Sequence, residues 1–255
     1  MVQGRSVVVT AGAAGIGLAV AKAFAANGDR VHICDINPQA LSQVTDANPS
    51  ITSTVCDISD RPAVEAFVDA AVDALGGIDV LINNAGIAGP TTSVEQLDPD
   101  QWAAVLGVNL TGTFTVTQRA IPHLKASDAG VIINMSSVGG RFGYPDRSPY
   151  ATTKRGIIAF TETLALELGA DGIRANAIAP GAVAGERIER VLRGRAESSG
   201  RTVEEVTADA LANQALKYFV DPDDIAALAL FLASDHARSI SGQTIAIDGF
   251  SKAAQ

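Results

Sequence analysis

Short apolar runs alternate with longer amphipathic segments along the chain, and this alternation predicts an α/β protein. Seven runs rich in Val and Ile have the length and composition of strands, at residues 6–10, 30–35, 52–57, 80–83, 131–135, 174–178 and 244–248. Segments with helical periodicity lie between them, at residues 15–27, 38–47, 61–75, 99–125, 149–169 and 222–233. Most of the strands are apolar at successive positions, as buried parallel strands are. We therefore predict a parallel sheet with helices on both faces.

Several of the helices begin with recognisable signals. Asp98 precedes Pro99 in a sequence that resembles a capping box, and Asp221 precedes Pro222 and two further carboxylates. Ser148, followed by a proline, is expected to cap the helix at 149–169. The starts of the helices are therefore better defined than their ends.

Length and composition favour one domain. The 255 residues, with 47% hydrophobic positions and 24 glycines, have the size and composition of one large α/β domain covering residues 1–255. The net charge of −9 argues against nucleic acid or an anionic membrane as a partner. A basic stretch at 187–195 contains glutamate and is more typical of a solvated helix face.

The cysteine content and the hydropathy pattern favour a cytoplasmic protein. Two cysteines cannot build a disulfide framework, and the N-terminus shows no leader pattern. Cys34 and Cys56 each precede an aspartate at the end of a predicted strand, so the two thiols could be near neighbours in the core. No apolar stretch has the length and pattern of a membrane span, and no membrane helix is expected.

A glycine-rich turn follows the first predicted strand and leads into a helix, with the sequence Thr10-Ala11-Gly12-Ala13-Ala14-Gly15-Ile16-Gly17. Small residues let the backbone approach a pyrophosphate, and the N-terminus of the helix supplies free N–H groups. A glycine-rich turn can also be plain turn chemistry. The strand before it and the helix after it favour dinucleotide binding.

Asp35 ends the second predicted strand, 20 residues beyond Gly15. A carboxylate at this place can accept hydrogen bonds from the hydroxyls of an adenosine ribose and would repel a 2′-phosphate. The position therefore favours NAD over NADP. The alternative is an aspartate that serves only the turn at the end of the strand.

Tyr150 and Lys154 stand four residues apart, so a helix places the phenol and the ammonium on one face. A phenol has a pKa of about 10, and a nearby cation lowers it towards the range where proton transfer at neutral pH is efficient. The same spacing also arises from a solvated lysine beside a packed tyrosine. Asn84 and Ser137 follow two other predicted strands, so that all these residues converge on one edge of the sheet.

Together these features resemble the classical short-chain dehydrogenase/reductase family over nearly the whole chain. The matching positions are the turn from Thr10 to Gly17, Asp35, Asp57, Asn83-Asn84-Ala85-Gly86, Asn109, Ser137, Tyr150, Lys154, Pro180-Gly181, Ile240-Ser241-Gly242-Gln243 and Asp248-Gly249. The resemblance implies a single-domain Rossmann fold, a doubly wound sheet of seven parallel strands. It also implies a homotetramer built partly on the helices at 99–125 and 149–169.

The resemblance assigns the catalytic roles. It makes Tyr150 the acid/base at the substrate oxygen, with Ser137 stabilising that oxygen, while hydride moves between the carbinol carbon and nicotinamide C4. It makes Lys154 the partner of the phenol and of the nicotinamide ribose, and Asn109 the holder of a water that links Lys154 to solvent. Ser136 is the rival for the serine role, and spacing favours Ser137.

The resemblance also implies an NAD site and no metal. The implied contacts are Thr10, Gly12, Gly15, Ile16, Gly17, Asp35, Asp57, Ile58, Asn84, Ala85, Gly86, Tyr150, Lys154, Pro180, Gly181 and Val183. Two positions depart from the family. Ala11 stands where glycine is usual, and Gly185 stands where threonine often helps bind the nicotinamide end. The backbone of Val183, or the loop after it, would then have to hold that end of the cofactor.

The substrate is left open by these motifs. The segment at 185–217 resembles the mobile lid over the substrate, and its Arg and Glu content predicts exposed helices. Arg147 or Arg187 could recognise an anionic small-molecule substrate. Within the family, a 3-oxoacyl thioester reductase and a hydroxy-acid dehydrogenase are alternatives.

Two interpretations lie outside this reaction class. A dinucleotide-sensing regulator would more naturally lack one of the four catalytic residues, and all four are present. A sugar-nucleotide epimerase would need a larger C-terminal substrate region than the chain has after Asp248. The sequence therefore favours an enzyme that interconverts a secondary alcohol and a ketone.

Overall fold

A computed structural model describes residues 4–252, except for the side chains of Arg187, Arg195 and Ser198. Its seven strands are the predicted ones: β1 Ser6–Thr10, β2 Arg30–Asp35, β3 Ile51–Val55, β4 Val80–Asn83, β5 Val131–Met135, β6 Arg174–Pro180 and β7 Thr244–Ile247. The ends of three strands differ from the prediction. Strand β3 begins one residue earlier and ends two residues earlier than predicted, and β6 continues two residues further, to Pro180, which pairs in register with Ile247 of β7.

All strand pairs are parallel, and the sheet order is β3-β2-β1-β4-β5-β6-β7. The chain builds outward from β1 to β3, then returns to the other side of β1 and continues to β7. The doubly wound sheet is therefore confirmed. Its order reverses between β1 and β4, and ligands of such sheets bind at the carboxyl ends of the strands beside that reversal.

Nine α-helices are described: α1 Gly15–Ala26, α2 Pro38–Ala47, α3 Arg61–Leu75, α4 Pro99–Leu106, α5 Thr113–Lys125, α6 Ser148–Leu168, α7 Glu186–Ser199, α8 Val203–Ala210 and α9 Pro222–Leu232. Helices α1, α2 and α9 cover one face of the sheet around Phe24 and Ile225. Helices α3, α5 and α6 cover the other face around Phe67 and Leu124. None of the helices in the described part of the chain is long and apolar enough to cross a bilayer.

The predicted cap at Ser148 is wrong, because helix α6 begins one residue earlier. Arg147 occupies the capping position, and Ser148 is already helical. The chain turns sharply at Asp146, whose φ is +59°, directly before the capping position. The Ser148 Oγ is buried and has no hydrogen-bond partner among the described residues.

Asp98 and Asp221 do cap α4 and α9, because each side chain accepts a hydrogen bond from the N–H two residues on. The reciprocal capping box is described not at Asp98 but at the start of α8. There the side chains of Thr202 and Glu205 each accept from the other's backbone N–H.

The helix predicted at 99–125 is interrupted by a π-helical turn, Gly107–Gly112, between α4 and α5. Asn109 lies in this turn and is buried. A π turn adds a residue to the helical repeat and so redirects the side chains, and such turns often occur at functional sites. A Cβ at Gly112 would lie 2.7 Å from the Ile58 carbonyl oxygen, so the turn packs closely against the loop after β3.

Helices α7 and α8 pack on each other rather than on the two main cores. Their small apolar cluster consists of Leu192, Ala196 and Val206, with Phe219 among the residues packed against it. Gly200, with φ +65°, makes the turn between the two helices. Most other described positions of α7 and α8 are exposed, as predicted. We refer to these two helices as the α7–α8 pair.

The β2–β3 side of the sheet buries titratable groups without ionic partners. His32 is buried, with its Nδ1 2.7 Å from Thr52 Oγ1 and its Nε2 2.9 Å from Thr54 Oγ1. Burial lowers the pKa of His32 to about 4. Cys34 and Cys56 are both free and buried, and their thiols interact with each other. Burial raises the pKa of the Cys34 thiol, and the hydrogen bond from Cys34 lowers the pKa of Cys56.

Candidate active site

The glycine-rich turn after β1 requires glycine for packing reasons. A Cβ at Gly17 would lie 2.1 Å from the Ala11 carbonyl oxygen and 2.6 Å from Asn84 Nδ2. A Cβ at Gly12 would lie 2.6 Å from the Cβ of Ile33. The turn therefore presses directly on β2 and on the segment after β4, as a backbone cradle for a pyrophosphate does.

Ala11 adopts φ +51°, a left-handed conformation that costs an L-residue roughly 1–2 kcal/mol. The Asn84 side chain donates from Nδ2 to the carbonyl oxygens of Thr10 and Ala11, at 3.1 Å each. These hydrogen bonds hold the turn against the strain. The departure from glycine at this position therefore leaves the shape of the turn intact.

Thr10 joins the two strands that flank the reversal of the sheet. Its Oγ1 accepts hydrogen bonds from the backbone N–H groups of Asn84 and Ala85, both at 3.0 Å. The end of β1 and the segment after β4 are thus fixed to each other at the bottom of the cleft. This contact fixes the position of the Asn84–Gly86 backbone that the sequence assigns to the cofactor.

Asp35 lies beside the glycine-rich turn at the end of β2. Its carboxylate accepts a hydrogen bond from the Ala13 N–H at 3.3 Å and another from the Asn37 N–H at 3.1 Å. Asp35 is half-buried, so part of its carboxylate is open to a ligand. The carboxylate thus lies at the carboxyl end of β2, against the backbone of the glycine-rich turn.

The segment after β3 carries Asp57 and Ile58. The Asp57 carboxylate accepts hydrogen bonds from the backbone N–H and the hydroxyl of Ser59, at 2.9 Å and 2.7 Å. Asp57 therefore stabilises its own turn, and it is exposed at the same edge of the sheet as Asp35. Ile58 is 5% exposed and packs against the π turn, so its side chain is part of the core.

Tyr150 and Lys154 share one face of α6, as their spacing predicts. The Lys154 Nζ lies 5.8 Å from the centre of the Tyr150 ring. Lys154 is 5% exposed, and its ammonium donates to the Met135 carbonyl oxygen at 2.8 Å. The end of β5 thus holds a buried cation beside the phenol.

The two neighbouring serines have different environments. Ser136 Oγ donates to the Lys154 carbonyl oxygen at 2.8 Å and so fastens β5 to α6. Ser137 Oγ accepts from the Gly139 N–H at 3.1 Å, and its hydroxyl hydrogen is free to point elsewhere. A Cβ at Gly139 would lie 3.5 Å from Ser137 Oγ and 3.2 Å from Tyr150 Cε1, so Ser137 and Tyr150 flank the same glycine.

Asn109 is oriented by three hydrogen bonds. Its Oδ1 accepts from the Ile87 N–H at 2.7 Å, and its Nδ2 donates to the Ile87 carbonyl oxygen at 2.9 Å and to Thr153 Oγ1 at 3.1 Å. A Cβ at Gly86 would lie 3.2 Å from both Asn109 Oδ1 and Lys154 Nζ. Asn109 and Lys154 therefore meet at Gly86. The supporting role of Thr153 has no signal in the sequence.

The segment after β6 closes the other side of the cleft. The Gly181 N–H donates to the Ile247 carbonyl oxygen at 3.0 Å, and a Cβ at Gly181 would lie 2.9 Å from the Cα of Asp248. Val183 forms a parallel bridge with Val220. Gly185 has φ +127°, which L-residues rarely adopt, so the backbone here suits glycine rather than the threonine common in the family.

Arg147 and Tyr144 also lie at this site. The Tyr144 and Tyr150 rings meet edge to face with 6.4 Å between their centres, and the Arg147 guanidinium lies 5.8 Å from the centre of the Tyr150 ring. The side chain of Arg187, the other candidate for an anionic substrate, lies outside the described residues. Within residues 4–252, no group of three or more His, Cys, Asp or Glu is placed to hold a metal ion.

The chain is similar to known oxidoreductases along nearly its whole length. Residues 11–249 match the family model described as enoyl-(acyl carrier protein) reductase. The D-beta-hydroxybutyrate dehydrogenase of Cupriavidus necator is 35% identical over 98% of both chains.

Two solved structures share the fold. NAD+-bound xylitol dehydrogenase matches with a TM-score of 0.90 and 31% identity over 97% of this chain and 98% of that one. A single-residue variant of actinorhodin polyketide ketoreductase with NADPH matches with a TM-score of 0.90 and 29% identity over 96% of both chains. The xylitol dehydrogenase structure is thus named with NAD+ and the ketoreductase structure with NADPH.

Proposed function

The chain belongs to the classical short-chain dehydrogenase/reductase family, and on that premise we propose its cofactor, its catalytic residues and its assembly. It is an oxidoreductase that acts on CH–OH groups and interconverts alcohols and ketones. One observation carries the proposal: Ser137 and Lys154 both lie close to Tyr150. These residues are at the carboxyl edge of the sheet, where the glycine-rich turn after β1 flanks the reversal of the strand order.

Tyr150 exchanges a proton with the substrate oxygen, and Ser137 donates a hydrogen bond to the same oxygen. The environments of the two serines support Ser137 over Ser136, whose hydroxyl is already committed to Lys154. The buried ammonium of Lys154 stabilises the phenolate form of Tyr150. Asn109 holds the chain near Gly86 so that a water can link Lys154 to solvent.

The residues around the turn fit a nicotinamide dinucleotide. Glycine at positions 12 and 17 leaves the backbone open to a pyrophosphate, and α1 begins directly after the turn. The Thr10–Asn84 contacts and the segments at 57–58, 84–86 and 180–183 border the same cleft. When bound, the nicotinamide supplies the carbon that exchanges hydride with the substrate.

NAD is the proposed cofactor because of the carboxylate at Asp35. A 2′-phosphate placed beside Asp35 would be repelled, whereas ribose hydroxyls would donate to it. Titration of the protein with NAD and with NADP tests this, with tighter NAD binding expected. Asp35→Ser should reduce the ratio of NAD affinity to NADP affinity. Asp57→Ser, at the end of the neighbouring strand, should change this ratio less. Equal affinities in the unsubstituted protein would refute the assignment.

The reaction is tested by an NADH-fluorescence screen of secondary alcohols that includes sugars, hydroxy acids, hydroxyacyl thioesters and steroids. NADH formation with at least one class is expected. A protein that binds NAD yet reduces it with none of these classes would point to the dinucleotide-sensing regulator. Hydroxyacyl thioesters or hydroxy acids as best substrates would decide between the two alternatives within the family.

We propose one domain over residues 1–255, with the α7–α8 pair and the rest of 185–217 as the substrate lid. The α7–α8 pair has its own apolar cluster, separate from the two main cores, and this supports a lid that moves independently of the sheet. Free, buried cysteines fit a reducing compartment, and we propose the cytoplasm as the location.

A homotetramer built on α5 and α6 is the proposed assembly. Phe114 on α5 and Leu166 on α6 are 46% and 86% exposed, and their apolar surface supports packing against a second copy of the chain. Light scattering after size-exclusion chromatography should give four times the chain mass. Leu166→Glu should lower that mass, and Glu167→Gln on the same helix should not. A monomeric unsubstituted protein would refute this assembly.

A further inference from the structure

Arg147 places a positive charge against the proposed acid/base. It lies three residues before Tyr150, and its guanidinium carbon is 5.7 Å from the centre of the Tyr144 ring and 5.8 Å from that of Tyr150. A cation in this position is attracted to both rings. The guanidinium therefore lies against the ring of the residue that is proposed to meet the substrate oxygen.

The donors of Arg147 are only partly used within the protein. Its Nη1 donates to Thr91 Oγ1 at 2.8 Å and to the Gly89 carbonyl oxygen at 3.4 Å, which ties the guanidinium to the loop after β4. Its Nε is buried without a hydrogen-bond partner among the described residues, and so is the Oγ of Ser148 beside it. A buried donor left unpaired costs free energy, and because this Nε is enclosed, a ligand would have to reach the guanidinium at its Nη groups.

Some arginines of the described chain pair with carboxylates, and others, including Arg147 and Arg155, do not. Arg141 pairs with Asp248 at 3.3 Å, Arg119 with Asp69 at 2.7 Å and Arg201 with Asp209 at 2.6 Å. The ion pairs found within the described part of the chain include none that involves Arg147. Arg147 is half-buried, so its charge is neither paired nor fully solvated.

We infer that Arg147 binds the carboxylate of a short hydroxy acid, or of the corresponding keto acid, while the carbinol oxygen lies at Tyr150. This inference rests on the proposed function of Tyr150. A guanidinium recognises a carboxylate through parallel N–H donors, and the interaction is strong where water is partly excluded. Because the guanidinium lies so close to the Tyr150 ring, a short chain separates carboxylate from carbinol, as in 2- or 3-hydroxybutyrate.

The alternative role for Arg147 is structural: a clamp that holds the Tyr144 ring and the loop at 89–91 and touches no substrate. The two roles differ in what they do to selectivity. A clamp supports acids and neutral alcohols alike, whereas a carboxylate-binding residue favours acids alone. The ratio of kcat/KM for an acid to kcat/KM for its methyl ester therefore separates the two roles.

The experiment measures kcat and KM for 3-hydroxybutyrate and methyl 3-hydroxybutyrate, each with NAD. In R147Q the acid-to-ester ratio should fall by about 30-fold or more, mainly through KM, since a buried charged hydrogen bond is lost. R147K should keep part of the preference. The matched control is R155Q, because Arg155 lies on the same helix and donates to the Gly140 carbonyl oxygen; its ratio should stay at the unsubstituted value.

A measurement without turnover covers the case in which R147Q does not fold. Calorimetry compares butyrate with butyramide, which differ mainly in charge, as ligands of the unsubstituted protein saturated with NAD. Butyrate should bind at least about tenfold more tightly. Equal binding of the two compounds would overturn the inference, and so would an acid-to-ester ratio that R147Q leaves unchanged.

Failure of this inference and failure of the proposed function give different results. If the ester and other neutral alcohols yield NADH and the acid has no advantage, the role of Arg147 is refuted and the oxidoreductase assignment stands. If no compound yields NADH although NAD binds, the catalytic assignment is refuted. The butyrate comparison then still decides whether the site binds an anion, and repeating it in R147Q assigns that binding to Arg147.

Discussion

The catalytic edge of the sheet, where Asn109, Ser137, Tyr150 and Lys154 lie, and the α7–α8 pair differ in how tightly their side chains are packed and hydrogen-bonded. At the edge, Asn109 makes three hydrogen bonds and Lys154 is 5% exposed. In the α7–α8 pair, three buried side chains form the apolar cluster, and most charged groups face solvent. Rigid, buried groups suit a reaction that needs fixed geometry, and a lightly packed pair suits a part that adapts to substrates.

This difference explains why the reaction class can be assigned while the substrate is left to experiment. Gly17, Asn84 and Thr10 are restricted by contacts with neighbouring backbone, so the sequence can hardly change there without changing the shape of the cleft. The α7–α8 pair has few such restrictions. Arg147, at the start of α6, is fixed at its Nη1 by the loop after β4 and is unpaired at its Nε among the described residues.

The largest effect is expected for Tyr150→Phe at the catalytic edge. Removing the hydroxyl removes the proton path, and kcat should fall by about 10³-fold, within the range for a lost general acid or base. The dissociation constant of NAD should change little, because the turn after β1 is untouched. Steady-state kinetics and an NAD titration on the same preparation check both values. Substantial remaining kcat would contradict the role of Tyr150.

His32 of strand β2 should make the stability of the folded protein depend on pH in mild acid. The pKa of His32 is lowered to about 4 in the folded state, against 6.5 for the free side chain, so the unfolded state takes up the proton first. Stability should therefore fall as the pH drops from 6.5 to 4, by at most about 3 kcal/mol from this residue. Below that window the contribution of His32 should not change further.

Urea unfolding at several pH values tests this expectation. His32→Gln should flatten the dependence between pH 6.5 and pH 4, because the titrating group is gone. His236→Gln should not flatten it, because His236 is exposed. Identical slopes for the unsubstituted protein and His32→Gln would contradict the account.

Gly17→Ala tests how firmly the cradle is fixed. The added methyl would lie 2.1 Å from the Ala11 carbonyl oxygen, so the turn must shift. Overpacking of this kind costs about 1–3 kcal/mol, and NAD affinity should weaken by about tenfold to 100-fold. Gly194→Ala is the matched control, because a Cβ there meets no atom within 4 Å. Equal NAD affinities for the two variants would show that the turn is more adaptable than described.

The smallest effect is expected in the α7–α8 pair. Val206→Ala removes two methyl groups from its small apolar cluster, and local stability should fall by about 1 kcal/mol. Hydrogen exchange should speed up in residues 186–210, while the sheet should keep its protection. Loss of protection in β4 and β5 as well would show that the pair unfolds together with the sheet.

Strand positions and the main site could be predicted because they depend on local patterns. Apolar runs place β1, β2, β4 and β5 at the predicted bounds, and the four-residue spacing places Tyr150 and Lys154 on one face of α6. The alternation of strands and helices predicts parallel strands with right-handed crossovers, and the family resemblance supplies the doubly wound order. Because the strands are parallel, Thr10 and Asp35 end their strands at the same edge of the sheet.

Features that depend on distant contacts could not be predicted in this way. The π turn at Asn109 depends on close packing of Gly112 against Ile58, and no periodicity in the sequence indicates it. Ser148 lies inside the helix rather than at its cap, and the sharp turn at Asp146 before it has no signal in the sequence. The hydrogen bond from Asn109 to Thr153 likewise joins residues 44 positions apart.

The most direct test of the central claim uses an active secondary alcohol deuterated at the carbinol carbon, incubated with the protein and NAD. The account predicts that the deuterium appears on the reduced nicotinamide, as shown by mass spectrometry, and that Tyr150→Phe forms this product about 10³-fold more slowly. Deuterium found in water instead of on the nicotinamide, or formation of the product at an unchanged rate by Tyr150→Phe, would contradict it.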